Sequence, residues 1–402
     1  MIIDDGLHLA YCTNVHRGET WPEILARLER HTDSVRRRVA PDEPYAIGLR
    51  LGAQASADLA EPATLHAFQR WLDDHQSYVF TINGFPYGSF HGGRVKEQVY
   101  APDWSTPERL AYTMRLFDLV AALVPPGVPG SISTVPVTFK GVPQTPEHRT
   151  AVFANLAACA RHIEALVERT GIDLTLGLEP EPLCLLETTA ETVAFFDEWA
   201  SRDPDASTWR RYVGVNYDCC HLAVEFEDPH EALDRLASAG LRLSKLHLSS
   251  ALRVTPDAAG RAALQSFVEP TYLHQVVAGH AGTGEVFRRH VDLPDALADE
   301  TPAAPGEEWR VHFHVPLHAA PGVPFGDTRE HLTGALDWLA QHPGACGHLE
   351  METYTWEVLP PAMRIGVEDQ LVREYAWTLE ACAARGLADP ATVSRVAMAA
   401  RS

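Results

Sequence analysis

Five short segments carry side chains suited to chemistry. LGLEPEP holds Glu179 and Glu181, NYDCCH holds Asp218 and His221, and KLHLSS holds His247. VHFHVPLH holds His312, His314 and His318, and HLEMET holds Glu350 and Glu352. Carboxylates and imidazoles together form a mixed oxygen and nitrogen donor set. Such a set suits a hard or borderline divalent cation (Mn, Zn, Co or Mg) rather than copper or an iron–sulfur cluster. An ion there could polarise a carbonyl, hold vicinal hydroxyls or lower the pKa of a bound water. Singly, these residues have plainer readings. A lone His at a strand end is more often a hydrogen-bonded structural group than a ligand. Glu181, Glu187 and Glu352 read as loop salt-bridge formers. Cys219 and Cys220 read as packing residues, because successive strand side chains point to opposite faces. The joint pattern outranks these readings: Glu, Asp-x-x-His, His and Glu fall on separate strands, in order.

Those strands are legible from periodicity. Runs rich in Val, Ile, Leu, Tyr and Thr predict strands over Leu7–Thr13, Tyr45–Leu51, Tyr78–Asn83, Gly130–Val135, Leu174–Leu178, Val213–Tyr217, Leu243–Leu248 and Gly347–Met351. Amphipathic helical stretches lie between most of them, including Pro62–Gln76, Pro107–Leu123 and Pro146–Arg169. Strand following helix at this rhythm is the pattern of successive βαβ units. No Gly-rich phosphate fingerprint follows the first strand, so a closed (β/α)8 TIM barrel fits better than an open doubly wound sheet. The rhythm breaks after Leu248. Residues 251–325 read as an insertion between the seventh and last barrel strands, holding a hairpin (Tyr272–Ala278 and Val286–Val291) and the strand Arg310–Val315, with no clear helix until about residue 328. A final helix over Val367–Arg385 stops at Gly386. No linker or composition shift marks a second domain, so residues 1–402 read as a single TIM-barrel domain.

Composition narrows the partners. The 402 residues carry 33 Lys+Arg against 54 Asp+Glu, a formal charge of −21. Nucleic-acid binding needs a basic field, so it is not expected. No apolar run approaches the length of a membrane span. Met1–Gly6 does not look like a signal peptide. Seven scattered cysteines are not a disulfide framework and point to a reducing, cytoplasmic compartment. The expected partner is a small-molecule metabolite, with a homo-oligomer left open.

LxxEP on one strand, DxxH on the next, HL on the next and LE on the last resemble the xylose isomerase-like TIM-barrel superfamily. That group includes ketose 3-epimerases, inosose dehydratases and endonuclease IV. The resemblance implies one divalent ion held by Glu179, Asp218, His247 and Glu350. It also implies substrate contacts at His221, three residues after the Asp, and Arg253, six after the metal His. Across nearly its full length the chain also resembles the EboE family of metabolite traffic proteins, through YCTNVHRGETW, INGFPYGSFHG, VKEQVYAPDW, GLEPEPLCLLETT, YDCCHLAVEFEDP, LSSALRV and HLEMETYTWEVLPP. That family name describes a role with a secreted metabolite and no reaction. The inserted His312-x-His314 stands where endonuclease IV supplies an Asp-x-His pair to zinc, so both are candidate ligands. The third and fourth strands (FTINGFP, SISTVPV) lack the His ligands of that nuclease.

The expected function is a divalent-metal-dependent isomerase or epimerase acting on a small sugar, polyol or cyclitol. Glu179 and Glu350 would shuttle a proton next to a carbonyl. Asn83, Lys140, Lys245 and Trp356 join His221 and Arg253 as candidates near the substrate. Phe85, Tyr87, Phe90, Tyr354 and Trp356 would form an apolar wall. The alternatives are a metabolite-binding protein without turnover and a metal-dependent phosphoester hydrolase.

Overall fold

Eight strands whose residues are buried on both faces need covering layers on both sides, which a barrel wrapped by helices provides. The computed structural model, which describes residues 1–91, 93–203 and 205–401, has this form. Gly92, the last residue of INGFPYGSFHG, lies outside the described residues. The barrel strands are Leu7–Tyr11, Tyr45–Arg50, Ser77–Asn83, Gly130–Thr134, Leu174–Leu178, Val213–Asp218, Leu243–Leu248 and His348–Met351. From the second strand to the eighth each pairs in parallel with the next, and the eighth pairs in parallel with the first. A parallel bridge between Cys12 and Gly48 joins the first strand to the second.

Local signals set the helices between them. Thr106 and Thr145 cap helices that open with proline, Pro107–Leu123 and Pro146–Thr170, and the second ends at Gly171 in the left-handed region. Thr188 and Glu191 form a capping box at Thr189–Arg202. The apolar core lies between sheet and helices. The barrel axis is polar instead: Ser131 Oγ lies 2.8 Å from both Thr81 Oγ1 and His348 Nδ1.

The insertion forms a separate antiparallel sheet in the order Val286–His290, Val276–His280, Glu307–His314, Ala251–Val254, Phe325–Asp327. It carries its own apolar cluster around Trp309, Val311 and Phe313. Two helices inside it, Ala258–Leu264 and Leu293–Ala298, differ from the expectation of none. Seven and six residues are too few to display a periodic apolar stripe. A further helix, Pro390–Arg401, follows the Gly386 stop. Among the described residues no helix is long and apolar enough to cross a membrane. All seven cysteines are free and buried.

Candidate functional site

Strand register brings the chemistry to one level. Asp218 is the cross-strand partner of His247, and His247 that of Glu350. Glu179 follows the fifth strand directly. Glu352 continues the eighth, its N–H donating to the Leu248 carbonyl at 3.1 Å. Residues two apart on a strand share a face, so Glu350 and Glu352 both point inward, one layer apart.

The two glutamates have different surroundings. His247 Nδ1 stands 2.9 Å from Glu179 Oε1, 3.4 Å from Asp218 Oδ2 and 3.2 Å from Glu352 Oε2. Glu350 lies on the other side of the ring, accepting from His247 Nε2 at 2.9 Å and pairing with the buried Lys245 ammonium. Glu179, Asp218, His247 and Glu352 each offer one donor atom, all within 4.8 Å of one another. The structure thus puts Glu352, expected as a loop salt-bridge former, into the four-donor cluster in place of Glu350. The physical reason is the deeper layer of Glu350, where Lys245 takes its charge.

The rest of the cluster is held in place. Asn14 and Asn83 donate to Glu352 Oε1 at 2.7 and 2.9 Å. Asp218 caps the short helix Cys219–Val224: its Oδ1 accepts from the His221 N–H at 3.0 Å and from Ser249 Oγ at 2.7 Å. The D-x-x-H spacing thus sets His221 one turn into the helix that Asp218 begins.

This arrangement fits a divalent cation. With Nε2–H given to Glu350, His247 Nδ1 faces three carboxylates, more acceptors than one proton can serve. All four residues are at most 5% exposed. Among the described residues Glu179 Oε2 and Asp218 Oδ2 have no hydrogen-bond partner. Buried charge of one sign calls for a counter-charge. Burial opposes the charged imidazole, but Glu352 and Glu179 outweigh it and hold the His247 pKa well above its ordinary value. Burial likewise opposes the Asp218 carboxylate, but the charges of His221, His314 and His247 hold its pKa well below the usual range.

Glu179 and Glu352 of the cluster border a cavity lined also by Asn14, Asn83, Glu181, His221 and His312. Its roof is aromatic. Phe90, Tyr272 and Tyr354 stand with ring centroids 5.1–5.4 Å apart. Tyr272 comes from the insertion, so the insertion closes the mouth. Glu181 also faces the cavity, with Tyr100 donating to it at 2.6 Å, and burial raises its pKa to about 7.

Several expected contacts lie elsewhere. Arg253 sits on an insertion strand and pairs with exposed Glu330. Lys140 pairs with Glu187 and Glu191. Trp356 donates to the Ile365 carbonyl at 2.9 Å and Tyr87 packs on Tyr112; neither borders the cavity. Asn83 spends its amide on Glu352 and its carbonyl on the Phe85 N–H, so it positions a carboxylate. His312 and His314 lie beside His221 rather than beside His247. Asn14 directly follows the predicted strand Leu7–Thr13, and nothing in the sequence ties it to a glutamate 338 positions away.

A scan against protein-family models finds no match, and no curated protein matches the chain. Solved structures do match. A D-tagatose 3-epimerase-like protein aligns with a TM-score of 0.50 at 11% identity, over 94% of this chain and 98% of that one. An L-ribulose 3-epimerase gives 0.49 at 14% identity, over 94% and 96%. A zinc-bound IOLI protein gives 0.49 at 10% identity, over 94% and 99%. At these identities the likeness is one of fold. The fold is a (β/α)8 TIM barrel with an added antiparallel sheet.

Proposed function

We propose that this chain is a divalent-metal-dependent isomerase or epimerase acting on a small sugar, polyol or cyclitol. The observation that carries the proposal is the meeting of Glu179, Asp218 and Glu352 at His247 Nδ1, with Glu179 and Glu352 bordering an aromatic-roofed cavity. Those four residues would hold the ion. When bound, it supplies a Lewis acid that draws charge onto a carbonyl oxygen. Glu179 and Glu352 border the cavity and would move a proton to and from the carbon beside that carbonyl. Burial opposes the Glu352 charge, but His247 outweighs it and keeps this carboxyl below its ordinary pKa, the state a base requires. Glu181 would meet substrate hydroxyls, and the Phe90, Tyr272 and Tyr354 rings would exclude water. The EboE resemblance supports placing the reaction in a secreted-metabolite pathway.

The test is metal analysis of the purified protein, then incubation with ketoses and inososes in deuterated water. Exchange of a carbon-bound proton is expected. Tight ligand binding without exchange would assign the cavity to a binding protein instead. Glu179→Gln and Glu352→Gln should each abolish exchange while circular dichroism stays unchanged; normal exchange in either removes that residue from the acid–base pair.

A further inference from the structure

A second pocket lies at the barrel rim and shares no lining residue with the aromatic-roofed cavity. One wall comes from the loops that follow the first and eighth barrel strands, through Val15, His16, Arg17, Trp356 and Glu357. The facing wall is an interrupted helix. Trp21–Arg27 and Asp33–Val39 are α-helical, but the turn between them, Leu28–Thr32, is π-helical, with the Asp33 N–H donating to the Leu28 carbonyl five residues back. Single π turns are rare and occur frequently at functional sites. Arg27, Arg30 and His31, three and four residues apart along this stretch, all line the pocket.

The pocket holds positive charge without matching carboxylates. Arg17 pairs with Glu357 at 2.6 Å, and His31, stacked on His16, pairs with Glu368 at 2.7 Å. Those two carboxylates are therefore already engaged. Among the described residues neither Arg27 nor Arg30 has a carboxylate oxygen within 4.0 Å, and Arg27 Nε donates to the Arg17 carbonyl at 3.3 Å instead. An adjoining cleft shares His16, Arg17 and Arg27 and is bordered by Arg50, which is 2% exposed. Arg50 donates to the Gly18 and Gly88 carbonyls and to Glu19, yet its Nε has no acceptor among the described residues. A buried N–H left unpaired is costly, and an acceptor in this cleft would relieve it. On a chain of formal charge −21, such a local excess of guanidinium groups is the footprint of an anion site.

We propose that this rim pocket binds the phosphate group of a small phosphate monoester. A phosphate dianion offers three terminal oxygens, enough for guanidinium groups that arrive from both a loop and a helix. Trp356, Val15 and Val367 add an apolar side to the same pocket, which suits an organic body attached to the phosphate. The site stands apart from the cluster at His247 and does not depend on a metal there.

The test is calorimetric titration of the full chain at low salt with phenyl phosphate, and with benzoate as the carboxylate counterpart. One equivalent of phenyl phosphate is expected to bind, more tightly than benzoate. An Arg27→Gln, Arg30→Gln double variant should bind it about 10–100-fold more weakly, the loss expected for hydrogen bonds to a charged group. Arg70→Gln, which removes another exposed arginine without an ion pair, should bind it unchanged. Crystals of the unaltered protein soaked in tungstate, a phosphate-like oxyanion, should show an anomalous peak among Arg17, Arg27 and Arg30, so the proposal stays testable if the double variant fails to fold. Absence of binding, or full affinity in the double variant, overturns the site. An equal loss in Arg70→Gln reduces the effect to overall charge and overturns it as well. Benzoate bound as tightly as phenyl phosphate overturns the phosphate assignment.

Discussion

Glu350 and Glu352 share a residue type and a strand face, yet their surroundings assign them different work. Glu350 receives the His247 Nε2–H and the Lys245 ammonium, and with that cation outweighing burial its pKa falls to about 2. Its carboxylate occupies the space a side chain on Gly48 would need. Partners that orient a ligating histidine typically change metal affinity by about 10–100-fold when removed. Glu350→Gln is therefore expected to weaken metal binding by about that factor in calorimetric titration, and Glu352→Gln to weaken it further by removing a donor. Equal losses would put the two residues on the same footing. Arg253 marks the opposite case, where correct spacing met the wrong place. Its pair with Glu330 is solvent-exposed, and such pairs contribute about 0–1 kcal/mol. Arg253→Ala should leave exchange kinetics and thermal stability unchanged; a raised KM would return it to the substrate.

At the scale of elements, the inserted sheet is tied to the barrel by charge. Arg289, on the strand Val286–His290, pairs with Glu187 at 3.0 Å and with Glu225 at 2.5 Å. Both carboxylates are nearly fully buried, and Lys140 pairs with Glu187 from the other side. Removing one partner of a buried pair typically costs about 3–5 kcal/mol. Arg289 is itself 33% exposed, so solvent screening lowers the expected cost of Arg289→Ala to about 2 kcal/mol. Amide exchange should accelerate in Val276–His290 before the barrel strands are affected. Uniform acceleration through the barrel would show that the hairpin is not an independently opening unit.

For the whole molecule, Glu374 offers a measurable handle on stability. It is buried on the helix Val367–Ala383 and accepts from Thr353 Oγ1 at 2.9 Å and the Leu317 N–H at 3.1 Å. Burial raises its pKa to about 7. The folded chain therefore holds this proton more tightly than the unfolded chain, whose carboxyl titrates near its ordinary value of about 4.3. The stability contribution is full below that value and is lost as pH rises through about 7. Between about pH 5 and 8 the loss is about 2–3 kcal/mol. Glu374→Gln keeps a hydrogen-bonding amide without the charge. Urea unfolding at the two pH values should show the decline in the parent chain reduced by that amount in the variant.

The barrel was legible because its causes are local. Strand and helix periodicity, threonine caps before proline and glycine stops recur along the chain, and each acts within a few residues. The inserted strands Ala251–Val254 and Phe325–Asp327 were not legible, because segments of four and three residues become strands only by pairing with distant neighbours. The same division runs through the site. The sequence alone determined which residue types reach the strand ends, since β alternation and motif spacing follow from chain order. Only the tertiary structure decided that Glu352 rather than Glu350 meets Glu179 and Asp218 at His247, and that His312 and His314 close on His221. Alternation gives Glu350 and Glu352 the same face, so the choice fell to a long-range fact: Lys245, 105 residues away, claims the deeper carboxylate.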